Sequence, residues 1–62
     1  MRIKLYHIDT LQYSGAIIVS GREWEYQDVS NSHLVKVTLG MPLKAVLANL
    51  VSFDLVYDIV EE

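Results

Sequence analysis

The chain has 62 residues, a formal charge of −3 and no cysteine, and these values already exclude several classes of protein. Disulfide-stabilised scaffolds and thiolate zinc sites both require cysteine, so neither applies. Nucleic-acid binding normally requires a basic stripe that neutralises several phosphates. The five Lys and Arg residues are too scattered to form one, so nucleic acid is not the expected partner.

The length predicts one compact domain over residues 1–62. A chain of this size buries only about 60% of the surface that it exposes when unfolded. Nevertheless, 52% of the residues are apolar and the mean hydropathy is +0.24. We therefore expect a homo-oligomer or a protein partner to cover the excess. The small size, the apolar excess and the absence of a catalytic constellation are together typical of accessory proteins of phages and mobile elements.

The sequence also predicts where the protein resides. Residues 1–8 alternate charged and apolar side chains, whereas a secretory signal has a cationic start followed by an unbroken apolar run. An apolar run such as residues 16–19 is far too short to cross a bilayer. These features predict a cytoplasmic protein with no membrane partner.

The first half of the chain has the period-two pattern of β-strands. Residues 2–8 alternate, which predicts a first strand, and residues 9–15 form a connection with room for a helical turn. The β-branched run 16–19 predicts a second strand. Gly21 then predicts a tight turn, because glycine adopts positive φ without a Cβ clash, and residues 23–28 alternate as a third strand.

The second half changes period twice. Residues 33–39 predict a fourth strand, and residues 42–52 predict a helix that begins at Pro42 and has apolar residues every three or four positions. Residues 53–60 return to period two. The predicted class is α+β, a mostly antiparallel sheet of four to five strands packed on one helix in the order β-β-β-β-α-β. Two strands joined through that helix should be parallel, with a right-handed crossover.

Pairing between the first and last strands is also predicted. Arg2 and Lys4 offer cations to Asp54 and Asp58 on the wetter side of these strands. A sheet with one helix leaves its other face exposed, and a partly apolar exposed face is commonly an interface. Large aromatic side chains are the usual anchors of such interfaces. The interface candidates are Tyr6, Ile8, Trp24, Tyr26, Val56 and Val60.

Histidines and carboxylates are the candidates for metal binding or catalysis. His7, Asp9 and His33 include ligand types that divalent metals accept, but their spacing matches no metal motif. Glu23 and Glu25 share one side of a strand, which is the usual pattern of a solvated face. We therefore predict no metal, no cofactor and no catalytic carboxylate.

A nucleophilic or nucleotide-binding site is not indicated either. No serine lies in a Gly-x-Ser-x-Gly elbow, and no lysine follows Gly15 and Gly21 in a phosphate-loop pattern. The serines lie instead in predicted turns or at element ends, where they form local hydrogen bonds. They are Ser14, Ser20, Ser30, Ser32 and Ser52.

The resulting hypothesis is a small non-enzymatic interaction or regulatory protein that self-associates or binds a protein partner through a strand edge or sheet face. One alternative is a module for single-stranded nucleic acid that stacks bases on an aromatic sheet face. Another is a small-ligand or metal-binding subunit at a dimer seam, where His7, His33 or Tyr26 of two chains converge.

Overall fold

The computed structural model describes residues 1–60, and its strands form one four-stranded sheet. The sheet order is β3-β2-β1-β4, and all neighbouring strands are antiparallel. Helices lie between β3 and β4, so the predicted α+β class is confirmed. The elements are β1 (Arg2–His7), β2 (Tyr13–Ser20), β3 (Glu23–Gln27), α1 (Ser32–Thr38), α2 (Leu43–Asn49), a 3₁₀ turn (Leu50–Phe53) and β4 (Leu55–Val60).

The predicted fourth strand is wrong, because residues 33–39 lie almost entirely in helix α1. Valine and threonine favour strands locally, but tertiary packing overrides this preference. Asn31 caps the helix, and its Oδ1 accepts a hydrogen bond from the Leu34 backbone N–H over 3.1 Å. Leu34 and Thr38, one helical turn apart, both lie in the core.

The observed order is therefore β-β-β-α-α-β, with two helices instead of one. The predicted parallel crossover is also wrong, because the strand that β4 was expected to follow is α1. The predicted pairing of the first and last strands is confirmed. β4 runs antiparallel beside β1, with Lys4 opposite Asp58.

The helix predicted over residues 42–52 is present as α2 and the 3₁₀ turn that continues it. Pro42 is the N-cap, and its carbonyl accepts hydrogen bonds from the backbone N–H groups of Ala45 and Val46. No helix within residues 1–60 is long and apolar enough to cross a membrane. The tight turn predicted at Gly21 is confirmed, and β2 is longer than the predicted 16–19.

The core lies between one face of the sheet and the helices. We call this side the helix-covered face and the opposite side the open face. Alternation along β1 places Ile3 and Leu5 on the helix-covered face, where both are buried. Apolar burial here is the main source of stability. The core consists of Ile3, Leu5, Ile17, Leu34, Val46, Leu50 and Leu55.

The β1–β2 pairing contains a bulge near Gly15. Lys4 is opposite Ala16, but Tyr6 is opposite Tyr13, so the register shifts between these two pairs. Gly15 has φ +107°, a region that side chains rarely adopt. The segment after β3 passes so close that a Cβ at this position would lie 2.6 Å from Val29 Cγ2. A glycine is therefore required here by conformation and by space.

Candidate interaction surfaces

β4 is an outer strand, and one of its edges has no strand beside it within residues 1–60. The Ile8 backbone N–H donates to the Asp54 carbonyl over 2.8 Å, in register with the β1–β4 pairing. Antiparallel pairs alternate between hydrogen-bonded and non-hydrogen-bonded positions. It follows that the even-numbered residues of β4 bond to β1. Leu55, Tyr57 and Ile59 point their backbone groups to the free edge.

Two apolar side chains accompany this free edge, and we call Tyr57 and Ile59 the edge patch. They lie opposite Leu5 and Ile3, which places them on the helix-covered face. The helices do not extend over them, so Tyr57 is 45% exposed and Ile59 is 49% exposed. The edge patch thus combines unpaired backbone groups with exposed apolar area.

β3 is the outer strand on the other side. The Val19 backbone N–H donates to the Met1 carbonyl over 2.9 Å, so the odd-numbered residues of this part of β2 bond toward β1. Its even-numbered residues therefore bond to β3, where they meet Glu23, Glu25 and Gln27. Trp24 and Tyr26 point their backbone groups to the second free edge.

A groove of about 450 Å³ runs between this second edge and α1. Trp24 and Tyr26 of β3 lie on one side of it, and Val35 and Leu39 from α1 and its C-terminal end lie on the other. The remaining lining residues are Arg22, Glu23, Glu25 and Gly40. Leu39 is 80% exposed, which is a high value for a leucine. We call this feature the β3–α1 groove.

Hydrogen bonds fix the two rings of the groove. Trp24 Nε1–H donates to the Met41 carbonyl over 2.9 Å. The Thr38 hydroxyl donates its only hydrogen to the Leu34 carbonyl over 2.7 Å. The Tyr26 hydroxyl therefore donates to Thr38 Oγ1, also over 2.7 Å. The two rings pack edge to face, with their centroids 5.0 Å apart, so neither side chain is free to reorient.

The burial of Tyr26 leads us to expect that the stability of the fold depends on pH in the alkaline range. Burial raises the pKa of the Tyr26 hydroxyl above its ordinary value of 10.0. The folded state thus favours the neutral phenol. This contribution to stability is complete below pH 10 and is lost as the pH rises through the folded-state pKa.

Tyr26→Phe should therefore lower the free energy of unfolding by about 1 kcal/mol at pH 7, since one hydrogen bond is lost. It should also reduce the fall in stability at alkaline pH. Urea unfolding of both proteins at a series of pH values from neutral to alkaline measures the two effects. Parallel stability curves for the variant and the parent over the alkaline range would contradict this assignment.

The predicted interface residues fall into separate groups. Tyr6 and Val56 are cross-strand partners on the open face, and Val60 lies on the same face. All three are half-buried. Ile8 follows β1 in a turn and is 44% exposed. Trp24 and Tyr26, in contrast, lie on the helix-covered face and do not adjoin the other four.

The residues of the edge patch and Leu39 were missed by the sequence reasoning. Alternation predicted a strand over residues 53–60, but it did not show that the helices leave Tyr57 and Ile59 uncovered. Leu39 and Val35 were assigned to a strand. Asn31, three residues before Leu34, was the available signal for a helix N-terminus.

The two histidines belong to different elements, α1 and β1. His33 packs against Phe53, with ring centroids 5.6 Å apart, and His7 ends β1. Within residues 1–60, no three His, Asp or Glu side chains lie close enough to hold a metal together. Glu23 and Glu25 are exposed on the open face, as expected for a solvated side of a strand.

No family model, curated protein or solved structure matches this chain. The edge patch and the β3–α1 groove are therefore the features from which a function is inferred.

Proposed function

We propose that the protein is a non-enzymatic interaction protein that self-associates through the free edge of β4. Two copies pair their β4 strands antiparallel about a two-fold axis and join their four-stranded sheets into one continuous sheet. The edge patch carries this proposal, because it combines outward backbone groups with exposed apolar side chains. An unpaired strand edge is a ready template for another strand, and apolar contacts add to the affinity.

Charge selects the register of this pairing. In the proposed pairing, the residues of β4 whose backbone groups point to the free edge must form hydrogen bonds with the other copy. Two antiparallel registers meet this condition with the longest overlap of the two strands. One of them places Asp58 directly opposite Asp58 of the second copy, where like charges repel. The other is centred on Tyr57 and places Asp58 opposite Val56. We propose the Tyr57-centred register, in which Ile59 faces Leu55 of the other copy.

Charge also opposes an open-ended chain of subunits. Such a chain would need β4 of one copy to pair with β3 of the next. In the two antiparallel registers with the longest overlap, Asp58 would face Glu23 or Glu25. Repulsion between these carboxylates disfavours a growing fibre and so favours a closed dimer.

Ile59→Lys tests the dimer. A lysine on the edge patch places a charge in the proposed seam, so the variant should be a monomer of 7.1 kDa while the parent has twice that mass. Multi-angle light scattering over a range of concentrations gives both masses. Val37→Lys is the matched control, because Val37 is also apolar and 39% exposed but lies on α1. It should remain a dimer, and a parent protein that is monomeric at every concentration would refute self-association.

Disulfide trapping tests the register in a chain that has no native cysteine. In the Tyr57-centred register the two Tyr57 Cα atoms are about 5.5 Å apart, which a disulfide can bridge. Tyr57→Cys should therefore form a covalent dimer on mild oxidation. Ile59→Cys should not, because its copies are offset along the strands. A covalent dimer of Ile59→Cys would overturn the register. A covalent dimer that forms only when the two variants are mixed would also overturn it.

A further inference from the structure

We infer that the β3–α1 groove is a peptide-binding site that accepts an extended segment of alternating apolar and basic residues as an additional strand. This goes beyond the proposed self-association and does not depend on it, because the two sites lie at opposite edges of the sheet. Peptides commonly bind by adding a strand to a free edge, with alternate side chains entering pockets.

The backbone of β3 supplies the first part of the site. Trp24 and Tyr26 direct their N–H and C=O groups away from β2, as the alternation of hydrogen-bonded pairs requires. An antiparallel peptide would pair with these groups. Its residues opposite Trp24 and Tyr26 would then point to the helix-covered face, because paired residues share a face.

The groove supplies the second part. Those two peptide side chains would enter the space between β3 and α1, where Val35 and Leu39 face the aromatic rings. Most of the surface that lines the groove is apolar, so it favours apolar side chains. Hydrogen bonds to Met41 and Thr38 already hold the rings in place, which lowers the entropic cost of binding.

The acidic residues of β3 supply the third part and determine the charge of the ligand. Glu23 and Glu25 lie on the open face and flank Trp24 in sequence. Peptide residues opposite them would also lie on the open face, at cross-strand distance, where lysine or arginine is favoured. Arg22 also lines the groove. It lies in the turn that leads into β3 and therefore precedes both glutamates in sequence.

The same charges argue against a second copy of the chain as the occupant. If β3 paired antiparallel with another β3, the register with the longest overlap would place Glu25 opposite Glu25 of the other copy. The preferred partner is therefore a basic segment of a different protein and not a second β3.

Fluorescence anisotropy with a labelled pentapeptide, Lys-Val-Lys-Val-Lys, tests this inference. Aligned on β3, its valines lie opposite Tyr26 and Trp24 and its lysines opposite Gln27, Glu25 and Glu23. We expect saturable binding. A Glu-Val-Glu-Val-Glu peptide and the rearranged peptide Lys-Lys-Val-Val-Lys should bind at least about tenfold more weakly, a loss of about 1.4 kcal/mol. Equal binding of either control would overturn the site.

Variants of the protein separate this site from general charge attraction. Glu25→Lys should weaken binding about tenfold or more, whereas Asp9→Lys makes the same change of net charge in the β1–β2 turn and should bind normally. Equal weakening by the two variants would overturn the inference. Leu39→Ser should also weaken binding, and Val37→Ser is its control.

The monomeric variant Ile59→Lys should bind the pentapeptide with the affinity of the parent. This result separates the groove from the proposed dimer, because loss of the dimer leaves β3 and α1 unchanged. If peptide binding is lost with the dimer, the groove acts only within the assembly and the independent site proposed here is refuted.

Discussion

Gly15→Ala should lower the free energy of unfolding by about 3 kcal/mol, a large part of the stability of so small a domain. Two costs combine. A residue other than glycine is strained at φ +107°, and its Cβ would lie 2.6 Å from Val29 Cγ2 and 2.9 Å from the Asp28 carbonyl oxygen. Urea unfolding followed by circular dichroism measures the loss.

Gly21→Ala is the matched control for this prediction. Gly21 also has positive φ, +62°, but no atom lies within 4 Å of a Cβ built there. Only the conformational cost applies, so we expect a loss of about 1 kcal/mol. A second test is the double variant with Val29→Ala, which removes one of the two contacts and should recover part of the stability. If the losses at Gly15 and Gly21 were the same, the close approach at the bulge would be disproved.

Leu34→Ala should lower the free energy of unfolding by about 3 kcal/mol, within the range for buried leucine. Leu34 is 0% exposed and is the apolar residue that α1 contributes to the core. Its truncation leaves a cavity between α1 and the sheet. Thermal and urea unfolding of the variant provide the measurement.

Leu39→Ala is the control, because Leu39 ends the same helix but is 80% exposed. This substitution should change stability by less than about 0.5 kcal/mol, the usual range for surface positions. The same variant should weaken peptide binding in the β3–α1 groove. Comparable destabilisation by the two substitutions would show that α1 does not pack as described.

The strands were the part of the fold that the sequence predicted best. Alternation in residues 2–8 and 53–60 identified β1 and β4, and opposite charges on Lys4 and Asp58 indicated that they pair. Helix α1 was not accessible in the same way. Its β-branched residues favour a strand locally, and only the core contact of Leu34 and the cap from Asn31 make the helix the better structure.

The candidate site was less accessible than the fold. Alternation assigned the acids of β3 to a solvated side, but it left open which element covers the side with the rings. That element is α1, whose Thr38 accepts the Tyr26 hydroxyl hydrogen. Likewise, the exposure of Tyr57 and Ile59 depends on how far the helices extend across the sheet, which alternation does not encode.

The position of β1 between β2 and β4 has a consequence for folding. Arg2 lies opposite Val60, so the central strand gains its second neighbour only when the last strand arrives from the far end of the chain. Contacts so distant in sequence slow folding, because a long loop must close before they form. Until then, β1 has an open edge and an alternating apolar sequence. Until β4 docks, the unpaired edge of β1 is therefore a site at which strands of different chains can associate.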